Sequence, residues 1–475
     1  MRMASSETTD GTAAQAEDYI RRSLAHLWIP TQQPNELAED DALLVIESGE
    51  GVMLRDSKGR QYIDALSGLW VVNAGHGRSE LAEVARDQMA RLGFANAYAY
   101  ASPPAIDLAS KLAAITPSNL TRAFFVSGGS EAVETALRLA KQYHYNRGDQ
   151  KRFKVISRIG SYHGTTMGAM SVNNASYLNR TPFEPLMPGS IAVPNINCDR
   201  CPYEKTFPEC DVFCARTIAD VIRFHKPETI AAIIAEPIST AHGSWVPDAQ
   251  YWRTLRALCD EYGIVLIADE VITGFGRTGT WFGMEHFDTP GAGPGTHVQA
   301  DIMTIAKGLS SGYQPIAAAL ASEKIAQAFI GEAEDTFIGG VTFGAHPVAC
   351  AVALANIAII ERENLVENSA RMGEHIAGRL QELAAAHPSV SATRGVGLMQ
   401  VVELQRNPES GEDFRPEDAI GKRMTQALRE EGILSRGGAS IQIAPPLVIN
   451  REEADNLVDG VDRAIRRVEL ELNLG

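Results

Sequence analysis

The chain has 475 residues, of which 45% are hydrophobic and 21% charged, a composition typical of a globular protein with two or three domains. A formal net charge of −16 argues against nucleic acid and anionic membranes as partners, and no apolar run reaches membrane-spanning length. Six cysteines in this length, after an N-terminus without the apolar core of a signal peptide, predict a cytoplasmic protein rather than a secreted disulfide scaffold.

The N-terminal region predicts one helix followed by a meander of short strands. Apolar residues recur at helical spacing over residues 16–28, which end at Trp28. Residues 45–63 alternate between polar and apolar side chains around two glycine-containing turns, a pattern typical of antiparallel strands. Trp70 follows the meander.

A glycine-rich turn then joins a predicted strand to a predicted helix. The strand covers residues 122–126, the turn is Ser127-Gly128-Gly129-Ser130, and helical spacing begins at Val133. Free backbone N–H groups and the positive end of the helix dipole face outward at such a turn, and glycine lets a ligand approach closely. The turn therefore predicts a phosphate site to which Ser130 can add a hydroxyl.

Three apolar runs each lead to an ionisable residue. Residues 229–235 end in Glu236, 264–268 end in Asp269, and 302–306 lead to Lys307. The runs are short and β-rich, as expected of buried parallel strands, whose carboxyl ends are where ligands bind. A lysine there can hold pyridoxal phosphate as a Schiff base, while a carboxylate keeps the pyridine nitrogen protonated. A buried ion pair without chemistry remains the alternative for Asp269 and Lys307.

The rest of the chain predicts a smaller domain of helices and strands. Helical patterns cover residues 346–362, 364–386, 419–431 and 452–472. A strand is expected up to residue 404, and a second strand region over 433–447.

The residues Asp269-Glu270-Val271, Gly274-Phe275-Gly276-Arg277-Thr278-Gly279 and Lys307-Gly308 together resemble the signature of class III pyridoxal-phosphate-dependent aminotransferases, of the ω-amine and β-amino acid transaminase type. The similarity extends from about Leu27 to the C-terminus. It implies an α/β protein of fold type I, with a large domain built on a mostly parallel seven-stranded sheet and a smaller α+β domain. The implied divisions are an N-terminal segment (1–60) that contributes to the small domain and to dimer contacts, a cofactor-binding domain (61–345) and a small domain (346–475). The resemblance also implies a homodimer with shared active sites.

The resemblance makes Lys307 and Asp269 the catalytic residues of a transaminase that moves an amino group from an ω-amine or amino acid to a keto acid such as pyruvate. An aminomutase or a decarboxylase on the same fold, or a non-catalytic pyridoxal-phosphate-binding protein, is the alternative. The implied cofactor contacts are Gly129, Ser130, Tyr162, His163, Glu236, Asp269, Val271, Lys307 and Thr342.

Among these contacts, Tyr162 would stack on the cofactor ring and Thr342 would reach the neighbouring subunit's phosphate. The resemblance places Trp28, Trp70, Tyr162 and Arg436 in the substrate pocket. In this resemblance Arg436 is a mobile arginine that binds carboxylates, and Glu236 can pair with it. Relatives that use 4-aminobutyrate or ornithine tend to carry Arg where this chain has Thr165, which favours an ω-amine or β-amino acid donor.

Four cysteines, Cys198, Cys201, Cys210 and Cys214, crowd into one loop as a CxxC followed by a CxxxC. Paired cysteines at this spacing are typical of metal sites, and most class III aminotransferases lack them. The spacing predicts a [4Fe–4S] cluster or a zinc ion that orders the loop. Four reduced thiols in an ordinary loop are the alternative.

Overall fold

The computed structural model describes residues 7–39, 42–117, 119–287 and 298–474. The strands in these ranges are β1 (Ile46–Glu50), β2 (Met53–Asp56), β3 (Gln61–Asp64), β4 (Leu120–Val126), β5 (Lys154–Arg158), β6 (Ser190–Val193), β7 (Ile230–Ala235), β8 (Val265–Asp269), β9 (Ile302–Ile305), β10 (Ala317–Ser322), β11 (Val390–Val396), β12 (Met399–Leu404), β13 (Ile433–Leu434) and β14 (Ser440–Ile443).

The helices are α1 (Glu7–His26), α2 (Pro34–Leu37), α3 (Ser67–Trp70), α4 (Ser79–Arg91), α5 (Pro103–Ile115), α6 (Gly129–Asn146), α7 (Met167–Val172), α8 (Phe213–Arg216), α9 (Ile218–His225), α10 (Ala249–Tyr262), α11 (Glu323–Ala326), α12 (Pro347–Arg362), α13 (Leu365–Ala386), α14 (Ile420–Glu430) and α15 (Arg451–Leu472). No helix within the described ranges combines the length and the apolar character needed to cross a membrane.

A seven-stranded sheet with the order β4-β10-β9-β8-β7-β5-β6 forms the centre of the described chain. Strands β9, β8, β7, β5 and β6 are parallel, and only β10 pairs antiparallel with both of its neighbours. Alternate residues of β7 enter different cores: Ile234 packs against α6, and Ile233 packs against α10. Because both faces are covered, these strands are apolar throughout, as expected of a parallel sheet. The predicted α/β fold with a mostly parallel seven-stranded sheet is confirmed.

Two smaller sheets accompany the central one. The first has the order β1-β2-β3-β13, in which the N-terminal meander pairs with a C-terminal strand, and the second has the order β11-β12-β14. Helices α13 and α15 pack on each other next to these sheets, and α13 also packs on β11. The domain boundaries at residues 60 and 345 remain a prediction.

Helix α1 and strand β11 are among the elements that differ from the sequence-based expectation. Helix α1 begins at Glu7 instead of residue 16, over residues that show no apolar periodicity. Strand β11 was not predicted, because it lies at the edge of its sheet and its residues are only partly buried or exposed. Its residues lack the alternating burial that a half-buried strand shows.

Candidate active site

Asp269 and Lys307 meet at the carboxyl edge of the central sheet. Asp269 is the last residue of β8, and Lys307 stands two positions after the end of β9, the next strand in the sheet. Lys307 opens a short 3-10 turn and has a positive φ of 46°. Asn356 donates to the backbone carbonyls of Gly308 and Leu309 at 2.8 and 3.0 Å, which fixes this turn. A positive φ at a lysine is a strained conformation that the surrounding contacts must hold.

The carboxylate of Asp269 is buried and held from several sides. His163 Nδ1 lies 2.7 Å from one carboxylate oxygen, and the Thr304 hydroxyl donates to the other oxygen at 2.8 Å. The backbone N–H of Val271 donates to that same oxygen at 3.2 Å. These contacts give the carboxylate a fixed position and keep it ready to accept one more donor.

Lys307 has an amine that is set up to react near neutral pH. The pKa of Lys307 is lowered to about 7: burial is the largest cause, Asp269 opposes it, and the cations Arg436 and Arg277 add to it. Within the described chain, the amine has no ion pair, and its nitrogen lies 5.4 Å from the centre of the Trp70 ring. A buried lysine with a depressed pKa is a nucleophile at physiological pH.

An aromatic wall faces Lys307. The guanidinium of Arg436 lies 5.4 Å from the Trp70 ring centre and 5.9 Å from that of Tyr177, and the Tyr177 ring stacks on Tyr162 with centres 6.3 Å apart. Burial raises the pKa of the Tyr177 hydroxyl, and Arg436 opposes this. Three aromatic rings and one cation therefore surround the space next to the lysine.

The short segment α3, which carries Trp70, is a strained turn rather than a regular helix, because Gly68 and Leu69 have non-helical backbone angles. Both Ser67 and Trp70 have positive φ values, 49° and 57°. The carboxylate of Asp64 accepts the backbone N–H of Gly68 at 2.7 Å, and the Ser67 hydroxyl donates to the Ala444 carbonyl at 2.7 Å. The turn is thus held by the surrounding structure in a conformation that most residues avoid.

Arg277, from the glycine-rich motif after β8, is buried beneath this turn. Its guanidinium donates to the carbonyls of Leu398 and Pro445 at 2.9 and 2.6 Å, and to the side chains of Ser67 and Asn73 at 2.9 and 2.8 Å. Burial lowers its pKa to about 9. The arginine ties the C-terminal strands to the Trp70 turn.

The glycine-rich turn after β4 leads directly into the N-terminus of α6. Helix α6 begins at Gly129, where an added Cβ would lie 2.9 Å from Val271. The Ser130 hydroxyl accepts the backbone N–H of Thr165 at 3.1 Å. The N–H groups of the first turn of α6 have no partner inside the helix, so this helix N-terminus can bind an anion.

Two predicted site residues lie on the surface of this chain. Trp28 follows α1 and is 93% exposed, and Thr342 is exposed on the loop before α12. The structure does not bring either of them together with Lys307 within the described part of this chain. The other predicted contacts, Gly129, Ser130, Tyr162, His163, Glu236 and Val271, lie at or next to the carboxyl edge of the sheet that carries Asp269 and Lys307.

Sequence reasoning missed three residues at this site. Tyr177 lies in a polar loop without any periodicity, so no signal marked it. Thr304 is the polar residue of β9 and pairs in register with Asp269, which could have identified it. Arg158 ends β5 and pairs with Glu236 across the sheet edge, with 3.3 Å between Nη2 and Oε2. An arginine at the end of a buried strand was the available signal.

The residues present fit pyridoxal phosphate. The Nε2 atom of His163 is buried without a partner, the Asp269 carboxylate can accept another donor, and the helix start can accept a phosphate. Lys307 lies close by as an amine with a low pKa. A flat, anionic, pyridine-containing group would satisfy all of these features.

The four-cysteine loop lies between β6 and α9. Cys198 is exposed, Cys201, Cys210 and Cys214 are partly buried, and all four are free thiols. The pKa of Cys214 is raised to about 11, chiefly by burial and to a smaller extent by the other three thiols of the loop. Among the residues that the structure describes, no group of three or more His, Cys, Asp or Glu side chains is arranged to hold a metal ion. The predicted metal centre remains a prediction.

The chain is similar to known proteins over most of its length. The family model described as "Aminotransferase class-III" matches residues 36–465. The chain is 41% identical to a probable aminotransferase of Mycobacterium tuberculosis over 87% of both chains. It is 35% identical to the putrescine–pyruvate aminotransferase of Pseudomonas aeruginosa over 94% of this chain and 95% of that one.

Solved structures show the same similarity. An (S)-enantioselective ω-transaminase from Thermomicrobium roseum superposes with a TM-score of 0.89 at 40% identity, covering 95% of this chain and 99% of the other. An amine transaminase from an uncultivated Pseudomonas species, solved in its pyridoxal-phosphate-bound form, superposes with a TM-score of 0.86 at 34% identity. That match covers 93% of this chain and 99% of the other.

Proposed function

The chain belongs to the class III aminotransferases and is a pyridoxal-phosphate-dependent transaminase, and we propose that it moves an amino group from an ω-amine or β-amino acid to pyruvate or a similar keto acid. The observation that carries this proposal is the arrangement of Lys307 and Arg436 on one aromatic wall. One group can bond to the cofactor and the other can receive a carboxylate.

The catalytic roles follow from the contacts of each residue. When bound, pyridoxal phosphate supplies an electron sink for the substrate carbon that loses a proton. Lys307 would hold the cofactor through its amine and, once free, would move the proton as a general base. Asp269, held by His163 and Thr304, would accept the N–H of the ring and so favour its protonated form.

The proposed cofactor contacts extend around this pair. The first turn of α6, with Gly129 and Ser130, receives the phosphate. Tyr162 covers the ring face, and Val271 fills the space beneath Gly129.

The pocket chemistry supports a donor that combines an amine with an apolar part. Trp70, Tyr162 and Tyr177 offer flat apolar surfaces, and Arg436 offers bidentate hydrogen bonds to a carboxylate. Thr165 cannot provide the second cation that an amino acid with a distal carboxylate would need. The relative named for putrescine and pyruvate supports a simple amine as donor and pyruvate as acceptor.

The test is a half-reaction assay in which the absorption of the cofactor-loaded protein is followed after each of several amines is added. A transaminase converts the cofactor to its aminated form, and pyruvate then restores the original spectrum with one alanine formed per cofactor. An aminomutase or a decarboxylase would instead release product without any keto acid. If none of the amines changes the absorption spectrum, the proposal is contradicted.

We further propose a homodimer with shared active sites. Trp28 and Thr342 are exposed in the single chain, and large apolar side chains such as Tyr98 and Phe343 are 68% and 61% exposed. A surface of this kind is typical of a protein interface. In the proposed dimer Trp28 lines the partner's substrate pocket and Thr342 reaches the partner's cofactor phosphate. Sedimentation at micromolar concentration tests the assembly, and a monomer with full activity would contradict it.

Three further proposals rest on the sequence alone. We place the protein in the cytoplasm, because six cysteines in a chain of this length do not resemble a secreted disulfide scaffold. We propose domain boundaries at residues 60 and 345, which are the ones that the resemblance implies. The loop with Cys198, Cys201, Cys210 and Cys214 is proposed to bind zinc or a [4Fe–4S] cluster, which cysteine spacing supports.

A further inference from the structure

A buried ion pair lies directly behind the proposed substrate pocket. The side chains of Arg158 and Glu236 are 3% and 8% exposed, and Arg158 Nη2 lies 3.3 Å from Glu236 Oε2. The same nitrogen donates to the backbone carbonyl of Glu236. Because β5 and β7 are parallel neighbours, both residues stand at the edge of the sheet that also carries Asp269.

The second oxygen of the Glu236 carboxylate is also occupied. Oε1 accepts the backbone N–H of Tyr162 at 3.2 Å and the hydroxyl of Ser239 at 3.0 Å. Every contact of this carboxylate comes from the large sheet and its loops. Since breaking any of these contacts would leave a buried polar group unpaired, the carboxylate is fixed in this position.

Arg436 lies next to Tyr177, whose ring stacks on that of Tyr162. Its guanidinium lies 5.9 Å from the Tyr177 ring centre, and Tyr177 stacks on Tyr162. The Arg436 charge lowers the pKa of the Tyr177 hydroxyl and the Glu236 charge raises it, so both charges lie near this hydroxyl. Arg436 and Glu236 nevertheless form no ion pair in the described structure, in which Glu236 pairs with Arg158.

We propose that Arg158 is a positioning residue for substrate specificity, because it occupies the Glu236 carboxylate and so leaves Arg436 free to bind the carboxylate of a substrate. The inference rests on the proposed role of Arg436 as carboxylate clamp. A buried carboxylate without a cationic partner is unfavourable, so a Glu236 without Arg158 would attract another cation. Arg436 lies beside Tyr162 and Tyr177 and can take that place, and an Arg436 paired with Glu236 would bind pyruvate less well.

The test compares Arg158→Met with the double variant Arg158→Met/Glu236→Gln. In Arg158→Met the KM for pyruvate should rise about tenfold, and the KM for an uncharged amine should change less than about twofold. The double variant should restore the pyruvate KM, because an amide does not attract the guanidinium. A crystal structure of Arg158→Met should show Arg436 within hydrogen-bonding distance of Glu236.

Each outcome decides between this role and a purely structural one. Equal rises in both KM values, or a double variant that stays impaired, would show that Arg158 only supports the fold. If Arg158→Met does not fold, Arg158→Gln removes the charge while keeping a donor for the Glu236 carbonyl, and the same pattern is expected. A failure of the proposed clamp itself would appear separately, as an Arg436→Ala variant with an unchanged pyruvate KM.

Discussion

The side-chain nitrogen of Lys307 lies 5.4 Å from the centre of the Trp70 ring. The guanidinium of Arg436 lies 5.4 Å from the same ring. A substrate whose amine takes the place of Lys307 would therefore have its substituent near the indole and its carboxylate, where present, next to Arg436. The Trp70 ring is thus the surface shared by the reacting group and the proposed carboxylate clamp.

Replacement of Lys307 by alanine should abolish turnover and the visible absorption of the lysine-bound cofactor. No other amine in the described site can bond to the cofactor, since the remaining cations there are arginines. Absorption spectra and an alanine-formation assay check this. The exposed Lys151→Ala is the matched control and should behave as wild type. Turnover in Lys307→Ala would refute the assignment.

The pH dependence of cofactor binding follows from the depressed pKa of Lys307, which burial lowers to about 7. Below this pH the amine is protonated and cannot attack, and above it the amine is free. The rate at which the cofactor-free protein regains its visible absorption, after pyridoxal phosphate is added, should rise with pH and level off above about 7.

Two variants should shift that profile in opposite directions. Arg436→Met removes a nearby positive charge, which raises the pKa of Lys307 and moves the profile to higher pH. Asp269→Asn removes a negative charge and moves it to lower pH. A wild-type profile that rises only near the ordinary pKa of lysine would contradict the burial argument.

Asp269→Asn should retain the fold and bind the cofactor, yet lose about two to four orders of magnitude in kcat, a barrier increase of roughly 3–5 kcal/mol. A neutral amide cannot hold the proton on the ring nitrogen. Thr304→Val is the graded comparison, because it removes the 2.8 Å hydrogen bond to Asp269 and leaves the charge. Single-turnover kinetics with a simple amine compare the rate losses of the two variants. Near-wild-type kcat in Asp269→Asn would disprove the role of the carboxylate.

The sequence alone was enough to predict the strands of the catalytic edge. Runs such as that of β8 are apolar throughout because both faces of the sheet are covered, and each ends at the ionisable residue that the site uses. Spacing predicted a candidate phosphate turn and a candidate lysine. The family resemblance was needed to connect them with pyridoxal phosphate and with Arg436.

Other contacts were beyond sequence reasoning because they depend on how distant segments meet. Tyr177 reaches the pocket from an irregular loop, and its partner Arg436 lies more than two hundred residues later in the chain. Arg277 bonds to four groups contributed by three separate segments. No local periodicity encodes such contacts, since they arise from tertiary packing.

Arg436→Ala should raise the KM for pyruvate and for α-amino acids much more than the KM for simple amines. The lost charge-assisted contact should cost about 2–4 kcal/mol of binding free energy. Steady-state kinetics with pyruvate and with an uncharged amine check the difference. Arg415→Ala, at an exposed arginine, is the control for a change of net charge. Equal effects on charged and uncharged substrates would show that Arg436 is not the clamp.

The four-cysteine loop gives the last prediction, which concerns stability rather than catalysis. The loop is attached to the C-terminal part of the chain by the ion pairs Arg200–Asp413 and Asp199–Arg394. Both partners of the first pair are more than half exposed, and such surface pairs contribute little stability. A metal ion bound by the four thiols would add a stronger restraint than these pairs.

Elemental analysis of protein purified without oxygen tests this loop directly, and alkylation of the native protein supplies an internal control. With metal bound, the cysteines of the loop should resist alkylation, and the buried Cys259 and Cys350 should react only after denaturation. Broad visible absorption would identify an iron–sulfur cluster, and its absence together with one zinc per chain would identify zinc. Cys201→Ser should then increase proteolytic cleavage of the loop while the lysine-bound cofactor keeps its absorption, since the metal takes no part in the chemistry at Lys307. Less than about a tenth of an equivalent of iron and zinc together, with Cys198, Cys201, Cys210 and Cys214 all open to alkylation, would leave ordinary free thiols as the explanation of the motif.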